Sequence, residues 1–183
     1  MTAYDVRSAR LEDADGFGRV HIQVWREAYA GLMPADFLAG LSPERSSAWF
    51  AQRCEEPSDA VTLVATADGE LVGFAGAGPS RDEPAEPAHE LYFINILAAH
   101  HGTGLADRLF TDTLAAAGID GPVSLWVLRG NDRACAFYTR HGFAPDGREK
   151  PHPGTGTIEE RWVRPGPRTG HDAVTKAPPT AGD

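Results

Sequence analysis

The sequence predicts an α/β domain in which short strands alternate with amphipathic helices, and three observations carry that expectation. Two apolar runs, Glu90–Leu97 and Val123–Leu128, are each followed by a turn and then by apolar residues at three- and four-residue steps, the pattern of a buried strand feeding a helix. Two further strand-like runs meet across Ala67-Asp68-Gly69-Glu70, where the Asp-Gly pair signals a hairpin. With 183 residues and 42% hydrophobic content, the chain suffices for one domain with a proper core.

Taken in order, Asp5–Arg10 reads as a first strand and Glu12–Ala30 as a helix. Ala14, Phe17, Val20, Val24 and Ala28 fall on its inner face, and acidic residues occupy its first turn, where they suit the helix dipole. Ser42-Pro43 opens a second helix, proline standing where a missing N–H costs nothing. Val61–Thr66 and Leu71–Ala77 form the hairpin. Gly78–Ala88, rich in proline and acids, is expected to be a solvated, poorly ordered loop. Glu90–Leu97 is a largely buried strand, and Leu105, Ala106, Leu109, Phe110, Thr113, Leu114 and Ala117 line one face of the helix after it. Val123–Leu128 is another buried strand, followed by a helix capped at Asn131 and stopped at Gly142. Thr157–Val163 alternates as a late strand. From Pro165 onward the chain has almost no large apolar residues, so residues 165–183 are expected to be a disordered tail behind a domain of residues 1–164.

The six residues His101-Gly102-Thr103-Gly104-Leu105-Ala106 stand between a strand and a helix. At such a turn unpaired amides and the positive end of the helix dipole face outward, and glycine lets a ligand approach the main chain. A pyrophosphate fits there. A P-loop would need Lys-Ser/Thr after the glycines, and a dinucleotide fingerprint would need a small residue where Asp107 stands; neither pattern is met.

The turn resembles the acyl-CoA-binding segment of the GCN5-related N-acetyltransferases, Gln/Arg-x-x-Gly-x-Gly/Ala after a strand. His101 fills the first position, Gly104 the fourth and Ala106 the sixth. His101 departs from the usual Gln or Arg, but family members hold the pyrophosphate mostly through main-chain amides. Asn131-Asp-Arg-Ala-Cys-Ala-Phe-Tyr138-Thr-Arg-His-Gly142-Phe143 resembles the family's Asn-x-x-Ala-x-x-x-Tyr-x-x-x-Gly-Phe segment, with Asn and Tyr about two helical turns apart on one face. Val24–Pro34 also looks like the first-helix exit of many bacterial members. The resemblance covers roughly residues 4–164. It implies the family's mixed, mostly antiparallel sheet of about seven strands with helices on both faces, and acetyl-CoA as cosubstrate.

Residue by residue, the resemblance implies that the amides of Gly102, Thr103, Gly104, Leu105, Ala106 and Asp107, beside His101, grip the diphosphate. The strand end Ile94-Asn95-Ile96 would offer main-chain hydrogen bonds to the pantetheine arm, and Asn131 would bind pantetheine or stabilise the helix start. Tyr138 would be the general acid that protonates the coenzyme A thiolate. Glu90, eleven residues before His101, stands where the histone-type branch of the family places its catalytic carboxylate, and would be the base. The plainer alternatives are a strand-entry charge for Glu90, a simple cap for Asn131 and a core ring for Tyr138.

The net charge of −9 argues against nonspecific nucleic-acid binding, which needs a basic surface, and suits a cationic substrate. No apolar stretch approaches eighteen residues and no signal-like start is present, so no membrane association and a cytoplasmic location are expected. The two cysteines, Cys54 and Cys135, are expected to be reduced, and the seven histidines show no metal-ligand spacing. Cys135 lies three residues before Tyr138; an acyl-cysteine route would need a histidine to activate it, and none is placed by sequence. The leading expectation is an N-acetyltransferase acting on a small-molecule amine. A protein acetyltransferase and a non-catalytic acyl-CoA-binding module are the alternatives, and a homodimer remains open by analogy with the family. Acceptor choice is expected to lie with the first two helices and the loops Ala77–His89 and Pro145–Thr157.

Overall fold

The computed structural model describes residues 2–166, so all but the first two residues of the expected tail lie outside the described residues. Seven strands, β1 (Asp5–Ser8), β2 (Val61–Ala67), β3 (Glu70–Pro79), β4 (His89–Ile96), β5 (Val123–Leu128), β6 (Ala144–Pro151) and β7 (Ile158–Arg164), form one open sheet in the order β1-β2-β3-β4-β5-β7-β6. Every neighbouring pair is antiparallel except β4–β5. This is the mixed, mostly antiparallel sheet that the sequence led us to expect.

Helices cover both faces. Helix α1 (Ala14–Ala28) and α3 (Pro43–Glu55) share one face. There Phe17 stacks on Phe50 and Phe74, with ring centroids 4.2 and 4.0 Å apart, and Val20, Val64 and Leu71 close the cluster. Ser42 caps α3 by accepting from the Arg45 amide at 3.2 Å. On the opposite face α4 (Leu105–Ala116) buries Leu105 and Leu109 against Leu63, Ala65, Val72 and Ile96. Beside it α5 (Asp132–Arg140) packs with Phe110 and Leu114 over Leu125 and Val127. Alternation along β2 explains the two layers: Leu63, Ala65 and Ala67 face α4 while Val64 faces α1. Among the described residues no helix is long and apolar enough to cross a membrane, and no group of three or more His, Cys, Asp or Glu is placed to hold a metal ion.

Three expectations need correction. A short helix, α2 (Ala35–Ala39), follows Pro34 where none was foreseen; α1 is correspondingly shorter than Glu12–Ala30. Within the expected Pro145–Thr157 loop, residues through Pro151 belong to β6, an exposed edge strand held only by β7. The Gly78–Ala88 segment is tied down rather than merely solvated. Asp82 accepts from the Trp126 indole at 2.9 Å and from Arg161 at 3.2 Å, and Arg161 also donates to the Glu86 carbonyl at 2.9 Å. Internal ion pairs therefore take up acids that composition alone would assign to solvent.

Candidate active site

Strands β4 and β5 pair only at His89↔Val123 and Glu90↔Ser124. Immediately afterwards the β3–β4 register shifts, Gly76 facing Phe93 and Ala77 facing Leu91, so Tyr92 is an extra residue on β4. Such a bulge bends its strand, and the bend carries β4 away from β5. Among the described residues the side of β4 that turns toward β5 thus has no strand partner along Ile94–Ile96, though the Ile96 carbonyl is bonded by His101.

A cleft of about 410 Å³ occupies the opening, walled by Val24 of α1, Ile94 and Ile96 of β4, His101, Ala106 and Tyr138. A second cavity of about 230 Å³ shares Val24, Ala28, Ile94, Asn131, Ala134 and Tyr138 with the first. The shared residues place the two side by side as halves of one cleft, with Tyr138 bordering both.

The first half ends at the glycine turn. Gly102 (φ 74°) and Gly104 (φ 85°) adopt backbone that only glycine takes without strain, and a Cβ on either would project into open space. Among the described residues the amides of Gly102, Thr103, Gly104, Ala106 and Asp107 donate to no other backbone group. The Leu105 amide is held weakly by Thr103 Oγ1 at 3.4 Å, and Thr103 itself donates to the His100 carbonyl at 2.8 Å. The Leu105 side chain belongs to the core, 2% exposed, and only its main chain is on offer. This row of free amides at a helix start, with no Cβ in the way, fits a pyrophosphate.

The side chains around the turn do structural work. His101 Nε2 bonds the Ile96 carbonyl at 2.9 Å, and burial lowers its pKa, so the ring fastens the turn to β4. Asp107 accepts from His141 Nε2 at 2.9 Å and from Arg140 at 3.5 Å, joining the start of α4 to the end of α5. Asn131 Oδ1 caps α5 through the Ala134 amide at 3.2 Å while its side chain also borders both halves of the cleft.

Tyr138 is buried, 8% exposed, and burial, reinforced by Tyr29 and Cys135, pushes its phenol well above the ordinary value of 10. The hydroxyl therefore keeps its proton at any working pH. Cys135 is also shifted upward, first by burial and then by Glu160 and Asp132, which leaves it a poor nucleophile.

Glu90 is placed elsewhere. It sits at the closed end of the opening, 1% exposed, and lines neither half of the cleft. Its Oε2 accepts from the amide and Nε of Arg81 at 3.0 and 3.1 Å, and its Oε1 is taken by the same guanidinium. The resemblance to the histone-type branch led us to expect a base, with a strand-entry surface charge as the alternative; the fold makes the carboxylate a buried partner of Arg81.

Several residues at the cleft carry no sequence signal that would have singled them out. Among the described residues Arg133 is the one arginine or lysine bordering the first half. Tyr29 borders the second half, its phenol raised to about 12 by burial and by Glu159. His21, also there, shares a 2.7 Å hydrogen bond with Ser46 and is lowered to about 4 by burial, so its imidazole is uncharged. Trp126 and Glu159 complete that wall.

Comparison with known proteins agrees with this geometry. Residues 23–143 match the acetyltransferase (GNAT) family. An uncharacterized N-acetyltransferase of Mycobacterium tuberculosis H37Rv is 32% identical over 142 residues, covering 75% of this chain and 86% of that protein. One from Bacillus subtilis 168 is 29% identical over 130 residues, covering 69% and 72%. Among solved structures, the PaiA N-acetyltransferase of Thermoplasma acidophilum in complex with coenzyme A superposes with a TM-score of 0.69 at 18% identity, over 89% of this chain and 99% of that one. An acetyltransferase from Thermus thermophilus gives 0.65 at 21% identity, over 89% and 97%.

Proposed function

Because the chain belongs to the acetyltransferase (GNAT) family, whose members use acetyl-CoA, we propose that it moves the acetyl group to a primary amine of a small molecule, by direct attack within a ternary complex. The observation that carries this reading is the pair of adjoining cavities that both border Tyr138, with the free amides of the glycine turn beyond one and an aromatic wall around the other.

Acetyl-CoA supplies the activated acyl carbon and a sulfur leaving group. In this reading the amides of residues 102–107 and the start of α4 hold its diphosphate, with Arg133 adding a positive charge nearby. The edge of β4 along Ile94, Asn95 and Ile96, where His101 already holds the Ile96 carbonyl, aligns the chain that carries the thioester, and Asn131 borders its path. Alignment of the two reactants supplies much of the acceleration. As the amine nitrogen bonds to the acyl carbon, the carbon–sulfur bond breaks and the Tyr138 phenol gives its proton to the departing sulfur, later regaining one from water. The burial that raises the phenol raises the thiol in the same surroundings, so the transfer stays feasible. The acceptor attacks as its neutral amine, its ammonium proton having gone to solvent beforehand, and the proton released from nitrogen as the amide forms returns through water to the Tyr138 phenolate. Glu90 takes no part in proton transfer in this account, since Arg81 occupies both of its oxygens.

Titration calorimetry with acetyl-CoA, followed by coenzyme A release with amines and with peptides, tests the reading. Heat on binding and release with small amines are expected; folded protein that gives no heat with acetyl-CoA overturns it. Release with peptides alone would move the activity to protein acceptors. A cytoplasmic setting accompanies this proposal.

A further inference from the structure

We infer that the half of the cleft beyond Tyr138 selects amines with an aromatic or bulky apolar body and no anionic group, drawing the ammonium to Glu159 and the face of Trp126. The inference rests on the acetyl-transfer reading and adds the class of acceptor to it.

The wall itself is the first support. Rings dominate it, among them Phe17, Trp25, Tyr29, Phe93 and Trp126. His21 is uncharged there, and among the described residues no Arg or Lys borders this half. Glu159 is therefore the only charged wall residue among them. An acceptor carrying a carboxylate or phosphate would face Glu159 and find at the rim only the Lys150 ammonium, which Glu159 already pairs, an arrangement that costs binding. An amine with an apolar body meets aromatic faces along its length and one carboxylate at its charged end.

Strand register supplies the second, independent support. Trp126 lies opposite Arg161 on β7, Glu159 is two residues from Arg161, and Lys150 on β6 lies opposite Glu159. With a period of two, these side chains share one face of the sheet. On that face the Lys150 ammonium stands 3.9 Å from the Trp126 ring centroid and 4.0 Å from Glu159 Oε2. It stands in for a primary alkylammonium and shows that ring and carboxylate together hold one. The Lys150 side chain is 42% exposed, so an incoming ammonium can exchange with it without changing the charge at the site.

The test uses the full chain with saturating acetyl-CoA and matched acceptor pairs, phenethylamine against phenylalanine and tryptamine against tryptophan, with spermidine and glucosamine alongside. The decarboxylated amines are expected to exceed their amino acids in kcat/KM by on the order of 30-fold. Glu159→Gln is expected to raise KM for phenethylamine about tenfold while kcat changes by less than about threefold. Calorimetry with phenethylamine alone gives a reading independent of turnover: heat in the wild type that weakens in E159Q supports the seat even if no coenzyme A is released. Equal use of amine and amino acid, preference for spermidine or glucosamine, or unchanged KM and affinity in E159Q each overturns the inference. Any of those results would leave acetyl transfer itself intact, whereas failure to bind acetyl-CoA would strike the proposed activity and leave only the phenethylamine heat as a reading of the seat.

Discussion

Arg81 encloses the carboxylate of Glu90, donating from its amide at 3.0 Å and from its guanidinium to both oxygens. A carboxylate held in this way and bordering neither half of the cleft is poorly placed to take a proton from substrate. Glu90→Gln is expected to leave the shape of the pH–rate profile unchanged. Arg81→Ala is expected to cost about 2 kcal/mol, less than the usual toll for a fully buried pair because the Arg81 side chain is 62% exposed. Denaturant titration measures the second effect. A Glu90→Gln profile whose acid limb disappears would return Glu90 to the chemistry.

For Tyr138, replacement by Phe keeps the ring among Phe137 and Phe143, whose centroids lie 5.5 and 5.7 Å away, and removes only the hydroxyl. Turnover should fall about 100-fold, with acetyl-CoA affinity by calorimetry nearly unchanged. Unaltered turnover removes Tyr138 from the reaction.

Gly104 has φ 85° as the residue preceding α4. Alanine there meets no neighbouring atom within 4 Å, so its cost comes from the left-handed backbone, about 1–2 kcal/mol. The variant should melt earlier and bind acetyl-CoA on the order of tenfold more weakly, since relaxing the strain turns the free amides aside. A melt shift without loss of affinity would confine the turn to folding.

His21 makes stability depend on pH in a defined window. Burial lowers its pKa from 6.5 to about 4, so between those values the unfolded chain takes a proton that the folded chain refuses, and stability falls as pH drops. The loss is complete below about pH 4 and is on the order of 3 kcal/mol. Asp13, lowered chiefly by its hydrogen bond to Arg7, acts in the acid range below 3.8, where its contribution disappears as it protonates. Urea titrations between pH 7.5 and 4.5 should show a steeper decline for the wild type than for His21→Gln; parallel curves would mean that His21 is not held neutral.

The elements that position the first half of the cleft were legible in the sequence because their signals are local. Val123–Leu128 is read with the bounds of β5, since a strand buried on both faces is a continuous apolar run. The glycines before α4 and the Asn131 cap before α5 mark their helices chemically. Strand β6 was not legible: it holds two prolines, a glycine and four charged residues, and only pairing with β7 at the sheet edge makes it a strand. The role of Glu90 turned on Arg81, nine residues away across a loop that composition described only as polar. Glu159 could not be assigned to the cleft either, because the face it shares with Trp126 depends on a register set by three strands meeting.

The two inner edges left by the parting of β4 from β5 have a meaning beyond ligand contact. A bare strand edge on the outside of a protein invites any other polypeptide to pair with it. Here the β4 edge at Ile94 and Ile96 lies indoors, facing a cleft of about 410 Å³ whose other walls include Val24 of α1 and Ala134, Phe137 and Tyr138 of α5. Helices on either side cover that edge, so a stretch of backbone that would invite self-association at the surface is instead reserved for whatever enters the cleft.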